Sequence, residues 1–158
     1  MQPLTQGGVA YKVVNEANKN EYYILENRKQ EGWDKHLFGS GMLVIHVDYN
    51  KSAWDSNKIN ATKEHPRYTL IPADNELADY GEVSNAEFVA SLKGDVWPGT
   101  SGNTELTNTS IPAAKVYTGG YMNKPITDIK YENDVISFNF MRTVSLDVPL
   151  VLPAIDVT

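Results

Sequence analysis

The chain contains no cysteine. A disulfide framework, a thiolate metal site and a thiol nucleophile are therefore all excluded, although the compartment is not fixed by that absence. Long hydrophobic runs are missing too. The longest mainly apolar stretch, residues 42–47, falls far short of the ~20 residues a membrane-spanning helix needs, so no membrane span is expected. Positive charge is scarce: 14 Lys and Arg stand against 20 Asp and Glu, for a net charge of −6. An acidic chain repels phosphate backbones, and no nucleic-acid partner is expected. The opening residues Met1, Gln2, Pro3 and Leu4 carry neither a basic leader nor an apolar run, so no signal peptide is expected at this point. That leaves a cytoplasmic protein or an internal piece of a longer exported chain.

What is present is an ordinary globular composition. The 158 residues suit one domain, and 41% hydrophobic with 22% charged residues excludes wholesale disorder, collagen and coiled coil. Period-two alternation predicts a mainly β fold, with antiparallel sheets packed in a sandwich-like way and one or two short helices. Strands are expected over 9–13, 21–28, 42–49 and 67–73. The second has apolar side chains on both faces, as a strand covered on both sides does. In the third, Met42, Val44, His46 and Asp48 share a face that turns polar toward its end. Short helices are expected over 52–57 and over 84–92, where Ser84 with Glu87 three residues on reads as a capping box. Residues 94–110, rich in Gly, Thr, Ser and Asn, read as a long functional or tethered loop. A hairpin turning at Asn133 and Asp134 is expected to pair Tyr131 with Ile136, Ile129 with Phe138 and Thr127 with Phe140 on an apolar inner face. Lys130, Ser137 and Asn139 fall on the outer face. The β-rich domain is expected to fill 1–142. Residues 143–158, with Pro149 and Pro153 among Val and Leu, read as a last strand or a linker toward a following domain.

Chemistry is sparse. The histidines His36, His46 and His65 are far apart, and no H-E-x-x-H, G-x-S-x-G or glycine-rich phosphate loop occurs. His46, between Ile45 and Val47, reads as a hydrogen-bonded core or cleft-edge histidine, and His65 before Pro66 as a loop residue. Asp48, Asn50 and Ser52 offer oxygen ligands at alternate positions with Asp55 just beyond, which resembles the start of a calcium loop. Calcium at Asp48, Asn50 and Asp55 stands beside the plainer reading of an Asp- and Asn-rich turn. Ala53 replaces the glycine such a loop needs, and Ile59 its closing glutamate. Trp33, Trp54 and Trp97 lie in or beside loops, where they stack on a glycan or anchor loops onto the core.

Two blocks carry a family resemblance. Residues 21–28, EYYILENR, followed by Gly32, Trp33 and Asp34, resemble a block of secreted zinc metallopeptidases of the immune inhibitor A type. Residues 39–49 are similar to that family's next block, with Ser40 where His is frequent and Phe38 where Pro is frequent. The matching residues include Glu26, Asn27, Arg28, Trp33, Asp34, His46 and Asp48, and weaker similarity runs on to residue 141. The resemblance implies that the chain is the C-terminal portion of such a peptidase. The zinc motif lies upstream in that family, so zinc belongs to the parent protein and no catalytic residue carries over. It further implies export to the cell surface or outside, and the upstream catalytic portion as partner. The chain itself is then structural support or substrate-cleft surface for a polypeptide. The alternative is a stand-alone cell-surface module that binds a glycan or a protein.

Overall fold

The computed structural model describes residues 1–78 and 81–142. The expected last strand or linker over 143–158 lies outside the described residues. The fold is mainly β and antiparallel throughout, as expected. Strands β1 (Tyr11–Asn15), β2 (Asn18–Arg28), β3 (Gly41–Asp48) and β4 (Tyr68–Leu70) form one sheet in that order, and β5 (Ile126–Glu132) and β6 (Val135–Phe140) form a second. Two short helices, α1 (Lys51–Asp55) and α2 (Asn85–Ser91), lie between β3 and β5. Both sheets feed one core: Tyr23, Leu25, Met42 and Val44 from the first meet Ile126, Ile129 and Ile136 from the second, with Trp97 and Leu106 between. No helix among the described residues is long and apolar enough to cross a membrane.

Local chemistry explains the element ends. The β1–β2 turn closes because Asn15 Oδ1 accepts from the Ala17 amide at 3.0 Å, an Asx turn. Asn50 caps α1 by accepting from the Ala53 amide at 3.0 Å. Ser84 and Glu87 form the expected capping box of α2. β2 and β3 pair without interruption from Glu21 opposite Asp48 to Arg28 opposite Gly41. The first strand starts two residues later than expected and the second three residues earlier. The strand expected over 67–73 is regular only at Tyr68–Leu70.

The hairpin departs from expectation in one instructive place. Asn133 and Asp134 form the two-residue turn, both at positive φ, and Tyr131 pairs with Ile136 as expected. A bulge at Asp128 and Ile129 then shifts the register, so that Thr127 opposes Asn139 and Ile126 opposes Phe140. The bulge has a packing cause. Ile126 and Ile129 are both fully buried, yet three residues apart they cannot share a face of a regular strand. Asp128 takes up the extra residue at φ 56°. Phe138 is consequently only partly buried, Phe140 is exposed, and Asn139 is half-buried rather than exposed.

The 94–110 segment has no regular strand but is firmly held. Trp97 is fully buried, exchanges backbone hydrogen bonds with Met42 at 2.8 and 2.9 Å, and donates its indole N–H to Ile71 O at 2.9 Å. Leu106 exchanges backbone bonds with Ile126 at 2.8 and 3.0 Å. This close approach explains Gly41, where an added Cβ would meet Trp97 O at 2.7 Å.

Candidate functional site

Polar groups gather where the buried face of the first sheet runs out. On β2, Glu21 shares a face with Tyr23 and Leu25 and is fully buried. A carboxylate there must be paired or hydrogen-bonded. Its Oε1 accepts from the Tyr117 amide at 2.6 Å and lies 2.8 Å from His46 Nε2. Oε2 accepts from the Thr118 amide at 3.0 Å and Asn15 Nδ2 at 3.1 Å. Burial opposes ionisation of Glu21, but these bonds together outweigh it and hold its carboxyl below the usual value of 4.5. Burial also pushes His46 below its ordinary 6.5, against the pull of Glu21, so the imidazole is neutral at pH 7 and its Nε2–H donates to the carboxylate. Of the two readings its strand context left open, core or cleft edge, the hydrogen-bonded His46 is buried.

Two residues further along β3, Asp48 Oδ2 accepts from Arg67 and lies 2.7 Å from His65 Nε2. The loop histidine expected at 65 does reach the sheet, stacked on the Tyr117 ring with centroids 3.7 Å apart and an 18° tilt. The same ring also meets His46 at 5.0 Å, tilted by 35°, and Tyr117 OH donates to Pro66 O at 3.0 Å. Tyr117 remains 41% exposed, so the cluster surfaces through this ring. With Tyr23 OH donating to Lys115 O at 2.5 Å, the sheet end grips the whole 115–118 segment.

The second locus lies at the opposite end of β2. Arg28 spans two carboxylates, with Nε 2.8 Å from Glu26 Oε1 and Nη1 3.1 Å from Asp34 Oδ2, and so pins the Gly32–Asp34 turn against the strand. Asn27 is fully buried and donates from Nδ2 to Met1 O at 2.9 Å and Asp134 O at 2.8 Å, tying β2 to the hairpin turn. Trp33, on the pinned turn, is 99% exposed. The other tryptophans act as anchors: Trp97 fills the core, and Trp54 packs on Tyr49 at 5.4 Å.

The residues considered for calcium each have a partner of their own: Asp48 on Arg67 and His65, Asn50 on the Ala53 amide, and Asp55 on Lys51 at 2.5 Å. Among the described residues, no group of three or more His, Asp or Glu side chains is placed to hold a metal ion. Sequence reasoning missed Glu21, Arg67 and Tyr117. For Glu21 a signal existed, since a carboxylate in step with Tyr23 and Leu25 on a buried face demands donors. Tyr117 and Arg67 carried none, because their partners lie far away in sequence.

No protein-family model, no curated protein and no solved structure matches this chain.

Proposed function

We propose that the chain is the non-catalytic C-terminal portion of an exported zinc metallopeptidase of the immune inhibitor A type, serving as a rigid wall beside the substrate cleft. The resemblance, which covers most of residues 9–141, suggests the family, and one observation carries the role. The charged and imidazole side chains of the two resembling blocks, on β2, on β3 and on the Gly32–Asp34 turn, are engaged with partners inside the fold. Arg28 holds Glu26 and Asp34, His46 holds Glu21, and Asp48 holds Arg67 and His65. Groups so engaged stiffen loops and leave no activated nucleophile. In this reading zinc is held by the upstream portion of the parent, and cleavage happens there.

The test is a casein assay with zinc on the purified chain and on the full-length parent. The reading expects no cleavage by the chain and chelator-sensitive cleavage by the parent. Chelator-sensitive cleavage by the chain overturns it, as does an upstream reading frame without H-E-x-x-H. A second reading, a cell-surface module that holds a glycan or polypeptide, is favoured by Trp33, which at 99% exposure is free to stack on a ligand. A signal sequence directly ahead of this region, with no peptidase motif, decides for the module.

A further inference from the structure

A groove of about 480 Å³ runs between the two sheets, walled by Tyr11, Lys12 and Val13 of β1 on one side and by 135–138 and Phe140 of β6 on the other, with Leu25 and Met1 also lining it. Two large apolar rings stand exposed among its lining residues, Tyr11 at 49% and Phe140 at 42%, beside the exposed Lys12 and Ser137. Apolar surface gathered along a strand edge marks a place where polypeptide docks. We propose that this groove seats an extended polypeptide strand running antiparallel to β6, namely the chain that leads into Met1 in the parent protein.

The first rung of that ladder already exists. The Ile136 amide donates to Met1 O at 3.0 Å, and the Met1 amine donates back to Ile136 O. A pair that exchanges both bonds is the narrow pair of an antiparallel ladder, which sets direction and register together. Asn27 Nδ2 donates to the same Met1 carbonyl from β2, so this rung is clamped from both sheets. Backbone groups alternate along a strand. Val135, Ser137 and Asn139 face β5, whereas Ile136, Phe138 and Phe140 face the groove. The outward amides and carbonyls of Phe138 and Phe140 make no hydrogen bond among the described residues. In the register set by Met1, the residue two before it falls beside Phe138 and the residue four before it beside Phe140. Met1 packs its side chain against the core, so these same two positions face the groove and take apolar side chains. The incoming strand is therefore apolar at alternate positions, and its main chain supplies the affinity while the groove reads every second side chain.

This inference rests on the reading of the chain as part of a longer polypeptide, but its test is separate. The probe is the sequence Val-Thr-Val-Thr added directly ahead of Met1, compared with Val-Thr-Pro-Thr, in which a proline ring replaces the N–H aimed at Phe138 O and forces the incoming strand away from β6 at that rung. Amide hydrogen exchange is read at Phe138 and Phe140, with Ile136 as the reference for an intact fold. The expected result is at least a tenfold slowing at Phe138 and Phe140 with the first extension and none at Phe138 with the second. Unchanged exchange, or equal slowing with both, overturns the proposal. So does slow exchange in the unextended chain that is lost on truncation after Arg142, which assigns the groove to residues 143–158. Loss of that protection on dilution likewise overturns it, in favour of a second copy. An upstream frame without H-E-x-x-H removes the peptidase reading and leaves the exchange result standing.

Discussion

The β2–β3 pair and the β5–β6 hairpin are both antiparallel, yet they solve opposite problems. β2 and β3 keep one register along their shared length and carry buried polar residues, Glu21, Asn27, His46 and Asp48 among them. β5 and β6 break register after three pairs and bury almost nothing but isoleucine. The difference lies in what each ladder must satisfy. A buried carboxylate or imidazole tolerates no slip, because a one-residue shift sends its side chain to the other face and leaves its donors empty. An apolar face asks only for volume, so the hairpin accepts a bulge at Asp128 that brings both Ile126 and Ile129 into the core.

Removing Glu21 should break that comparison most sharply. Glu21→Ala leaves two loop amides, Asn15 and His46 without their acceptor, and it is expected to cost about 3–5 kcal/mol in urea denaturation. The folded-state pKa values of Glu21 and His46 are both depressed. Their contribution is therefore present above the unfolded values and lost as pH falls, first below 6.5 through His46 and then below 4.5 through Glu21. In an Asp95→Asn background, which removes a buried carboxyl whose titration has the opposite sign, a stability flat from pH 7 to pH 4 would contradict this account of the sheet end.

Asp95, on the loop between the two sheets, should respond with the opposite sign. It is buried at 6% exposure, and desolvation together with the nearby Asp74 raises its pKa to about 6. A raised carboxyl favours the fold below the unfolded value of 3.8, and that contribution is lost as pH rises through about 6. Asp95→Asn is expected to stabilise the protein by about 2–3 kcal/mol at pH 7, and the gain should shrink toward zero by about pH 4. A melting-temperature series across that range checks both sign and window. An Asp95→Asn variant that is no more stable at pH 7 rules out the buried-charge penalty.

The hairpin and the exposed turn carry the comparison down to the smallest effects. Ile129→Ala, at a fully buried site, should cost about 2–5 kcal/mol, whereas the partly buried Phe138→Ala should cost only about 1–2 kcal/mol despite its larger side chain. Trp33→Ala, on the exposed turn, should stay within about 0.5 kcal/mol. Denaturant midpoints measured side by side decide the order. Equal losses at Phe138 and Ile129 would restore the unbulged register.

Much of the fold was legible because its signals are local. Alternation along 42–49 marks β3, Ser84 with Glu87 marks the start of α2, and Asn133 with Asp134 marks the turn. Part of the site was legible as well, since His46 on an apolar strand announces a hydrogen-bonded role. The bulge was not, although the spacing of Ile126 and Ile129 hints at it. A strand's period shows which residues want burial and not how the chain delivers them.

The amino-acid sequence alone determined the fold class, the caps and turns, and the lack of thiol and H-E-x-x-H chemistry. Those depend on residue identity and on spacing of a few positions. Only the tertiary structure decided that Glu21 would be clamped by the Tyr117 and Thr118 amides, that His65 would stack on Tyr117, and that Met1 would exchange main-chain bonds with Ile136. Each of these pairs closes a long loop, and which long loops close depends on how the two sheets share one core rather than on any local preference of the residues that finally meet.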